Sequence, residues 1–518
     1  MKSKARAKVG LLLVAVGGLG FAQYAPVWVR DGTPTPRARE FVKLLEQAGT
    51  KGLDPWDYDG PRWASRLAAV EKLDSQDLMT FDRALTEAAT RYVSDLRDGR
   101  ANPGVYRPAV RGTEILWPDL VRRHIVDAAD LSTGLQQIEP RFPAYGRTLE
   151  ALKKYRTLAR DDDGERLPTI SKPVEPGDSY AGVTRLVRLL RALGDLPEET
   201  VVPDGSRSYS GPIVQAVKHF QARHGLEVDG RIGRATMAQL NTPLRDRVRQ
   251  LELALERWRW LPREFSRSPV LVNLPEFRLQ ALDPALNPIL EMKIIAGRAR
   301  ATPTPLLAGD LNQVIFRPYW NVPFSILRDE LLPEIRRDPA YLAANNYEVT
   351  TSRGKVVTSG PVSLDVIARL RSGEYLLRQV PGPKNALGLV KFIFPNSASV
   401  YLHDTPGKAL FARVRRDFSH GCIRVERAPE LAAWVLQDEP AWTREGIGNA
   451  MNGSETLEVK LRRPIPLMIT YITATVLETG EVRFFEDLYG YDADLEQELA
   501  KRAVKLATSG ARGPRPHE

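Results

Sequence analysis

Residues 401–426 read YLHDTPGKALFARVRRDFSHGCIRVE, and Cys422 within them is the only cysteine in a chain of 518 residues. A lone thiol cannot close an intrachain disulfide, so its place answers to packing, metal binding or chemistry. SVYLHD (399–404) has the pattern of a strand: Tyr401 and His403 take one face, Val400 and Leu402 the other. The stretch TPGKALFARVRRDF is long enough for the chain to leave and return beside His403. SHGCIRVE (419–426) then delivers the thiol, with Gly421 allowing close backbone approach.

A cysteine nucleophile needs an imidazole to take its proton, and the imidazole needs an acceptor that fixes its tautomer. His403 fits the first need; the carbonyl or the side chain of Asp404 fits the second. Two other readings compete. As core, Cys422 would be an inert small hydrophobe, against which the flanking Ser419, His420 and Arg424 argue. As a zinc site, His403, Asp404, His420 and Cys422 supply four ligands, but without a Cys-x-x-Cys or His-x-x-x-His clip. The residue types favour the nucleophile.

Export is expected from the N-terminus. Lys2, Lys4, Arg6 and Lys8 precede an apolar run from Val9 to Phe21, and the small-residue GFA ends at Ala22. That order is a secretory signal over residues 1–22, too short to span a bilayer comfortably; an uncleaved inner-membrane anchor is the alternative. Loss of four cations would reduce the net charge from +10 to about +6, and no long lysine or arginine run points to nucleic acid. The remaining length suits several domains.

DGTPTP (31–36) reads as a spacer. Residues 34–178 read as a helical scaffold, completed by 242–265, with LMTFDRALTEAATRYVSDLRDGR (78–100) a long helix closed near Gly99. DDDGERLPTISKPVEPGDSY (161–180) reads as a linker. VKHFQARHGLEVDGRIGRATMAQLN, within 179–241, resembles the three-helix peptidoglycan-binding domain of cell-wall enzymes, which implies contact with a glycan strand. The alternative is a packing unit whose glycines and Asp229 only shape a loop; His219 and His224 read as surface or packing residues. From 266 to 492, β-rich runs broken by proline, glycine and asparagine predict a mainly β domain. Residues 493–518 read as a C-terminal helix and a disordered tail, so the fold class is α+β and multidomain.

The HDTP…SHGCIRVE pattern, with fifteen residues between His403 and Ser419, resembles the signature of the L,D-transpeptidases, the YkuD-type catalytic domain. ERWRWLP (256–262), TPTP (302–305), RPYWNVPFSI (317–326), PGPKNALGLVKFIFPN (381–396) and YGYD (489–492) resemble the large Gram-negative branch of that family. The resemblance implies Cys422 as nucleophile, His403 as proton acceptor and donor, and backbone N–H groups of Gly421 and Cys422 as oxyanion donors. It gives Ser419 and His420 loop-supporting roles. Arg424, where smaller members carry asparagine, would hold a substrate carboxylate, or would pair with Glu426 or Asp417.

The reaction so implied is attack on the third residue of a tetrapeptide donor stem with release of D-alanine. The thioester then passes to the diaminopimelate amine of a second stem, a 3→3 crosslink made without cofactor or metal. Water as acceptor gives an L,D-carboxypeptidase, and a D-amino acid gives exchange; a non-catalytic wall-binding scaffold is the reading from another class. Carbapenem-type inhibitors are implied ligands, and the periplasm of a Gram-negative bacterium the compartment. The long connection from Ile326 to Gly373 is expected to form a lid over Cys422, or else a static subdomain that only buttresses the sheet.

Overall fold

The computed structural model describes residues 26–106, 117–203 and 205–510. The expected signal, 1–22, and the end of the expected tail, 511–518, lie outside the described residues. Among the described residues no helix is long and apolar enough to cross a membrane.

The DGTPTP stretch is not a spacer. Val29–Arg30 (β1) and Thr33–Pro34 (β2) pair antiparallel, and the turn between them holds Asp31 and Gly32 at φ 51° and 73°. Asp-Gly is a hairpin turn pair because both residues tolerate positive φ. Thr35 then caps helix α1 (Pro36–Glu46), its side chain accepting from the Ala38 N–H at 3.1 Å, with Pro36 in the first turn. Local turn and cap chemistry outweighs the polar composition there.

Helices α1, α2 (Gly60–Ala69), α3 (Ser75–Asp98), α4 (Trp117–Val121) and α5 (Leu131–Ile138) enclose Trp28, Phe41, Tyr58, Trp63 and Tyr92. Asp74 caps α3, and Gly99 ends it at φ +83°. A Cβ on Gly99 would come within 2.7 Å of the Glu256 carboxylate and 2.8 Å of the Trp260 ring, so glycine is required twice over. Helix α6 (Pro143–Arg160) runs from this bundle into a second core. The small domain follows with α7 (Val183–Leu193), α8 (Pro212–Arg223) and α9 (Arg234–Leu240) around Leu186, Val217 and Phe220. Its glycine-rich turn is tied by Gln221, which donates to Asp229 Oδ1 (2.8 Å) and accepts from Gly230 N (2.8 Å). Asp229 thus shapes the loop.

Helix α10 (Leu244–Trp260) packs on α6 and joins all three regions. Its fully buried Glu256 accepts from Ala101 N at 2.9 Å and from Trp260 Nε1 at 3.2 Å, tying the helix to the scaffold. Its Leu251, Leu255 and Trp258 share a core with Leu152, Tyr155, Val476 and Phe484.

The remaining chain forms β3 (Val270–Asn273), β4 (Arg278–Leu282), β5 (Pro288–Gly297), β6 (Leu307–Phe316) and β7 (Trp320–Asn321). Next come α11 (Phe324–Ile326), α12 (Leu332–Arg337), α13 (Tyr341–Ala344), β8 (Tyr347–Thr351), β9 (Val356–Thr358), α14 (Leu364–Ser372) and β10 (Tyr375–Gln379). Strands β11 (Val390–Ile393), β12 (Leu402–His403), β13 (Asp417–Ser419) and β14 (Ile423–Val425) carry the cysteine region. Helices α15 (Ala428–Val435) and α16 (Arg444–Asn452), strands β15 (Leu457–Thr470), β16 (Ala474–Val476) and β17 (Val482–Phe484), and helix α17 (Tyr491–Thr508) complete it.

The main sheet runs β13-β5-β14-β12-β11-β6-β15-β3-β4, and β4 also pairs with β5, so the sheet closes on itself. Val314, Phe392, Leu402, Ile423 and Val425 point into its core, where Leu431, Val435 and Ile447 of α15 and α16 cover them. Each such side chain contributes about 1.5–3 kcal/mol through burial, and the alternation leaves Lys391, His403 and Arg424 on the other face.

Of the two expectations for the connection from 326 to 373, the subdomain is the one that forms, with its own interior. Strands β7-β10-β8-β9 form a separate sheet around Leu331, Ile335, Leu342, Val349 and Leu370. Between α11 and α12 the helix widens into a π turn over Leu327–Leu331. Pro333 has no N–H for the carbonyl of Asp329, which breaks the regular α pattern there. Tyr319, Trp320, Asn321 and Pro323, ahead of the expected lid, wall the cavity at Cys422, and no residue of 326–373 lines it. The packing of Leu331, Leu332 and Ile335 into a local core, rather than over the thiol, explains the difference.

Candidate active site

Cys422 stands immediately before β14, on a loop braced from several sides. Ser419 Oγ donates to Cys422 O (2.5 Å) and accepts from Gly421 N (3.1 Å). Both threonines of TPTP hold the same loop: Thr302 Oγ1 donates to Ser419 O (3.0 Å) and Thr304 Oγ1 to Gly421 O (2.8 Å). Gly421 has φ +112°, a conformation that side-chain-bearing residues rarely adopt, whereas its surroundings leave room for a Cβ. Conformation, not crowding, requires glycine.

The parallel register of β12 and β14 sets His403 against Arg424, and the antiparallel register of β11 and β12 sets Lys391 against His403. Lys391, His403 and Arg424 therefore form one cross-strand row. Two residues back along both strands, and so on the same face, Tyr401 lies beside Cys422, its carbonyl accepting from Ile423 N at 3.0 Å. The thiol, Tyr401, Lys391, His420 and Gly421 line a cavity of about 710 Å³ with Tyr319, Trp320, Ser399 and Tyr491. Cys422 Sγ is 3.9 Å from the Ser399 carbonyl, and among the described residues no hydrogen bond joins it to His403.

His403 is buried, and its Nδ1 donates to the Asp404 carbonyl at 2.5 Å. The carbonyl, not the carboxylate, fixes the ring, which leaves Nε2 as the unprotonated nitrogen. Burial, with Arg424 and Lys391 nearby, brings its pKa down to about 3. The Asp404 carboxylate braces another loop, accepting from Leu389 N at 2.9 Å and pairing with Lys408 at 2.6 Å. Burial raises the Cys422 thiol above its ordinary range, opposed by hydrogen bonds from Tyr401 and by the charges of Lys391 and Arg424. The resting pair is thus a neutral thiol and a neutral imidazole.

Two expectations need correction. Gly421 N–H is already given to Ser419 Oγ and is not free for an oxyanion. Among the described residues Cys422 N–H has no such partner. Arg424 pairs with neither expected carboxylate: Glu426 accepts from Lys293 N (3.1 Å) and Asp417 from Arg415 (2.7 Å). Arg424 Nε is buried without an acceptor. His420 lines the same cavity as the thiol, but its Nε2 is engaged by Glu330. Hence His403, Asp404, His420 and Cys422 do not converge, and among the described residues no three His, Cys, Asp or Glu side chains gather as metal ligands would.

Sequence reasoning missed Lys391, Tyr319, Trp320 and Glu330, and assigned Tyr401 a face but no function. The period of two in VKFIF places Lys391 opposite Val390 and Phe392, a signal that the strand register with β12 makes useful.

The closed sheet thus places one cysteine on the wall of a cavity, with a buried histidine on the same sheet face. The family model for the L,D-transpeptidase catalytic domain matches residues 268–446. Residues 21–152 match a scaffold domain, and 179–240 a domain described as "Putative peptidoglycan binding domain". The chain is 34% identical over 241 residues to a protein of Haemophilus influenzae (strain ATCC 51907 / DSM 11121 / KW20 / Rd) named "Putative L,D-transpeptidase". That match covers 46% of this chain and 48% of the relative, so the chain spans about half the length of the curated relative it matches.

Proposed function

We propose that the protein is a peptidoglycan L,D-transpeptidase that forms 3→3 crosslinks through a thioester on Cys422. The observation that carries this reading is the placing of Cys422 in a large cavity, with Tyr401 and a buried neutral His403 on the same sheet face.

A tetrapeptide stem enters with the carbonyl of its third residue, diaminopimelate, over the thiol. Sγ leaves the Ser399 carbonyl and bonds to that carbon, while His403 Nε2 takes the thiol proton. Because both groups start neutral, proton transfer accompanies attack, and no ion pair waits in the free enzyme. The developing oxyanion meets the free Cys422 N–H and the Tyr401 hydroxyl, both in place before reaction. His403 returns the proton to the departing amine, and D-alanine leaves. The diaminopimelate amine of a second stem attacks the thioester, losing its proton to His403 and restoring the thiol.

Arg424 receives a substrate carboxylate, which fits its buried, partnerless Nε. Ser419 and His420 hold the loop rather than react. The small helical domain, apart from the catalytic cavity, contacts the glycan strand, and carbapenem-type lactams acylate the same sulfur. The charged and apolar N-terminus supports export to the periplasm, with the uncleaved segment as an inner-membrane anchor the alternative.

Incubation of the purified protein with disaccharide-tetrapeptides, followed by mass spectrometry, tests this reading. Crosslinked dimers with released D-alanine are expected. Tripeptides alone would assign an L,D-carboxypeptidase, exchanged termini a D-amino-acid exchange enzyme, and unchanged substrate a wall-binding scaffold.

A further inference from the structure

Lys391 is a cation that the protein leaves without an anion. Its Nζ lies 3.7 Å from the centroid of the Tyr401 ring, at the wall of the Cys422 cavity. Among the described residues it makes no ion pair or hydrogen bond. An ammonium has three N–H donors, and a ring face balances part of its charge without accepting those donors directionally. Across β12, Arg424 also lacks a carboxylate partner, and the next cation, Arg298, has its Nη1 3.6 Å from Glu330 Oε1. Lys391 therefore brings an unpaired positive charge to the cavity wall beside the thiol. Burial lowers the Lys391 pKa, in accord with a charge that gains from an incoming anion.

We propose that Lys391 is a specificity-determining residue that takes the terminal carboxylate of the donor peptide; this rests on the function proposed above. Of the carboxylates in a tetrapeptide stem, only the terminal one is held three bonds from the carbonyl that Cys422 attacks. A cation beside the thiol meets that group first, whereas a side-chain carboxylate swings on a flexible stem. A peptide longer by one residue carries its terminus about 3.6 Å farther away and loses the contact. Release of D-alanine removes the anion, and the ammonium returns to the Tyr401 ring while the acceptor enters.

The test compares wild type with Lys391→Met, Lys391→Gln and Lys391→Arg by two readouts. In the first, the lone thiol is alkylated with iodoacetate or with neutral iodoacetamide, and each adduct is weighed. The iodoacetate-to-iodoacetamide rate ratio should fall several-fold in the neutral variants and persist in Lys391→Arg. In the second, kcat/KM is measured for a tetrapeptide with a free or an amidated C-terminus. Wild type should favour the free acid by about 10- to 100-fold, and the neutral variants should bring that preference close to one. No acid preference in wild type would overturn the assignment, and that measurement needs no variant. Equal losses on both substrates would also overturn it, as would an unchanged alkylation ratio. Failure of every tetrapeptide to turn over would instead remove the proposed reaction, while the alkylation ratio would still decide whether Lys391 attracts anions.

Discussion

His420 Nε2 donates to Glu330 Oε1 at 2.6 Å, a contact between residues 90 apart in sequence. It joins the π turn of the inserted subdomain to the loop that carries Cys422. Both side chains are partly exposed, at 27% and 42%, so the contact is worth on the scale of a surface pair, about 0.2–1 kcal/mol. Glu330→Gln and His420→Ala should each lower the acylation rate by less than about fivefold. The double variant should lose little more than either single one, because the same contact is removed twice. Additive losses in a double-mutant cycle would show that the two residues act separately.

Loss of His403 should be far more severe than loss of His420. A general base contributes on the order of 100- to 10,000-fold, and only His403 has its tautomer set by a backbone carbonyl on the face that also holds Cys422. Cys422→Ala should abolish both turnover and covalent capture of a carbapenem, since no second thiol exists. Intact-mass measurement of Cys422→Ala, His403→Ala and His420→Ala decides this. An acyl-enzyme on Cys422→Ala, or a larger loss for His420→Ala than for His403→Ala, would reverse the assignments.

Much of this arrangement was legible because its determinants are local in sequence. The period of two placed Tyr401 and His403 on one face, and the caps and glycines of α3 marked its ends. The motifs quoted for the family resemblance meet in space: Thr302 and Thr304 brace the cysteine loop, and Arg257 of ERWRWLP pairs with Asp492 of YGYD. What stayed illegible depends on register or distant packing. Lys391 joins the site only through the pairing of β11 with β12, and Glu330 only through the docking of a subdomain. The occupied Gly421 N–H was hidden for another reason: a serine two residues earlier competes for it, and sequence spacing does not say which way that hydroxyl turns.

The buried histidines should make the fold acid-sensitive. His224 stacks on Phe220 at a centroid distance of 3.7 Å and faces Phe484 at 5.8 Å, and burial holds its pKa well below the ordinary 6.5. His403 is brought down to about 3. Above pH 6.5 both are neutral folded and unfolded, so neither changes stability with pH. Below it the unfolded chain binds protons that the folded chain refuses, and stability falls as pH drops toward the folded values. The limiting slope is about 1.4 kcal/mol per pH unit for each histidine. His224→Gln should therefore melt lower than wild type at pH 7, yet lose less on going from pH 7 to pH 5. An unchanged loss between those pH values would mean that the neutral burial of His224 is not a source of acid sensitivity.

The subdomain between β7 and β10 offers the sharpest contrast with the expected lid. Its hairpin of β8 and β9 belongs to a sheet around Val349 and Leu370, and no residue from 326 to 373 reaches the cavity wall. Trp320, on the edge strand β7 of the same sheet, does line that wall. Water exclusion at the thioester should then depend on the indole and not on the hairpin tip. Trimming Ser352 and Arg353 from the turn should leave the ratio of hydrolysis to crosslinking at its wild-type value. Trp320→Ala should raise the share of trimmed tripeptide while acylation continues, because its removal opens the apolar wall beside the acyl-enzyme to water. Product analysis by mass spectrometry separates the two cases. A rise in tripeptide on trimming the hairpin, with Trp320→Ala unchanged, would restore the lid and remove the indole from water exclusion.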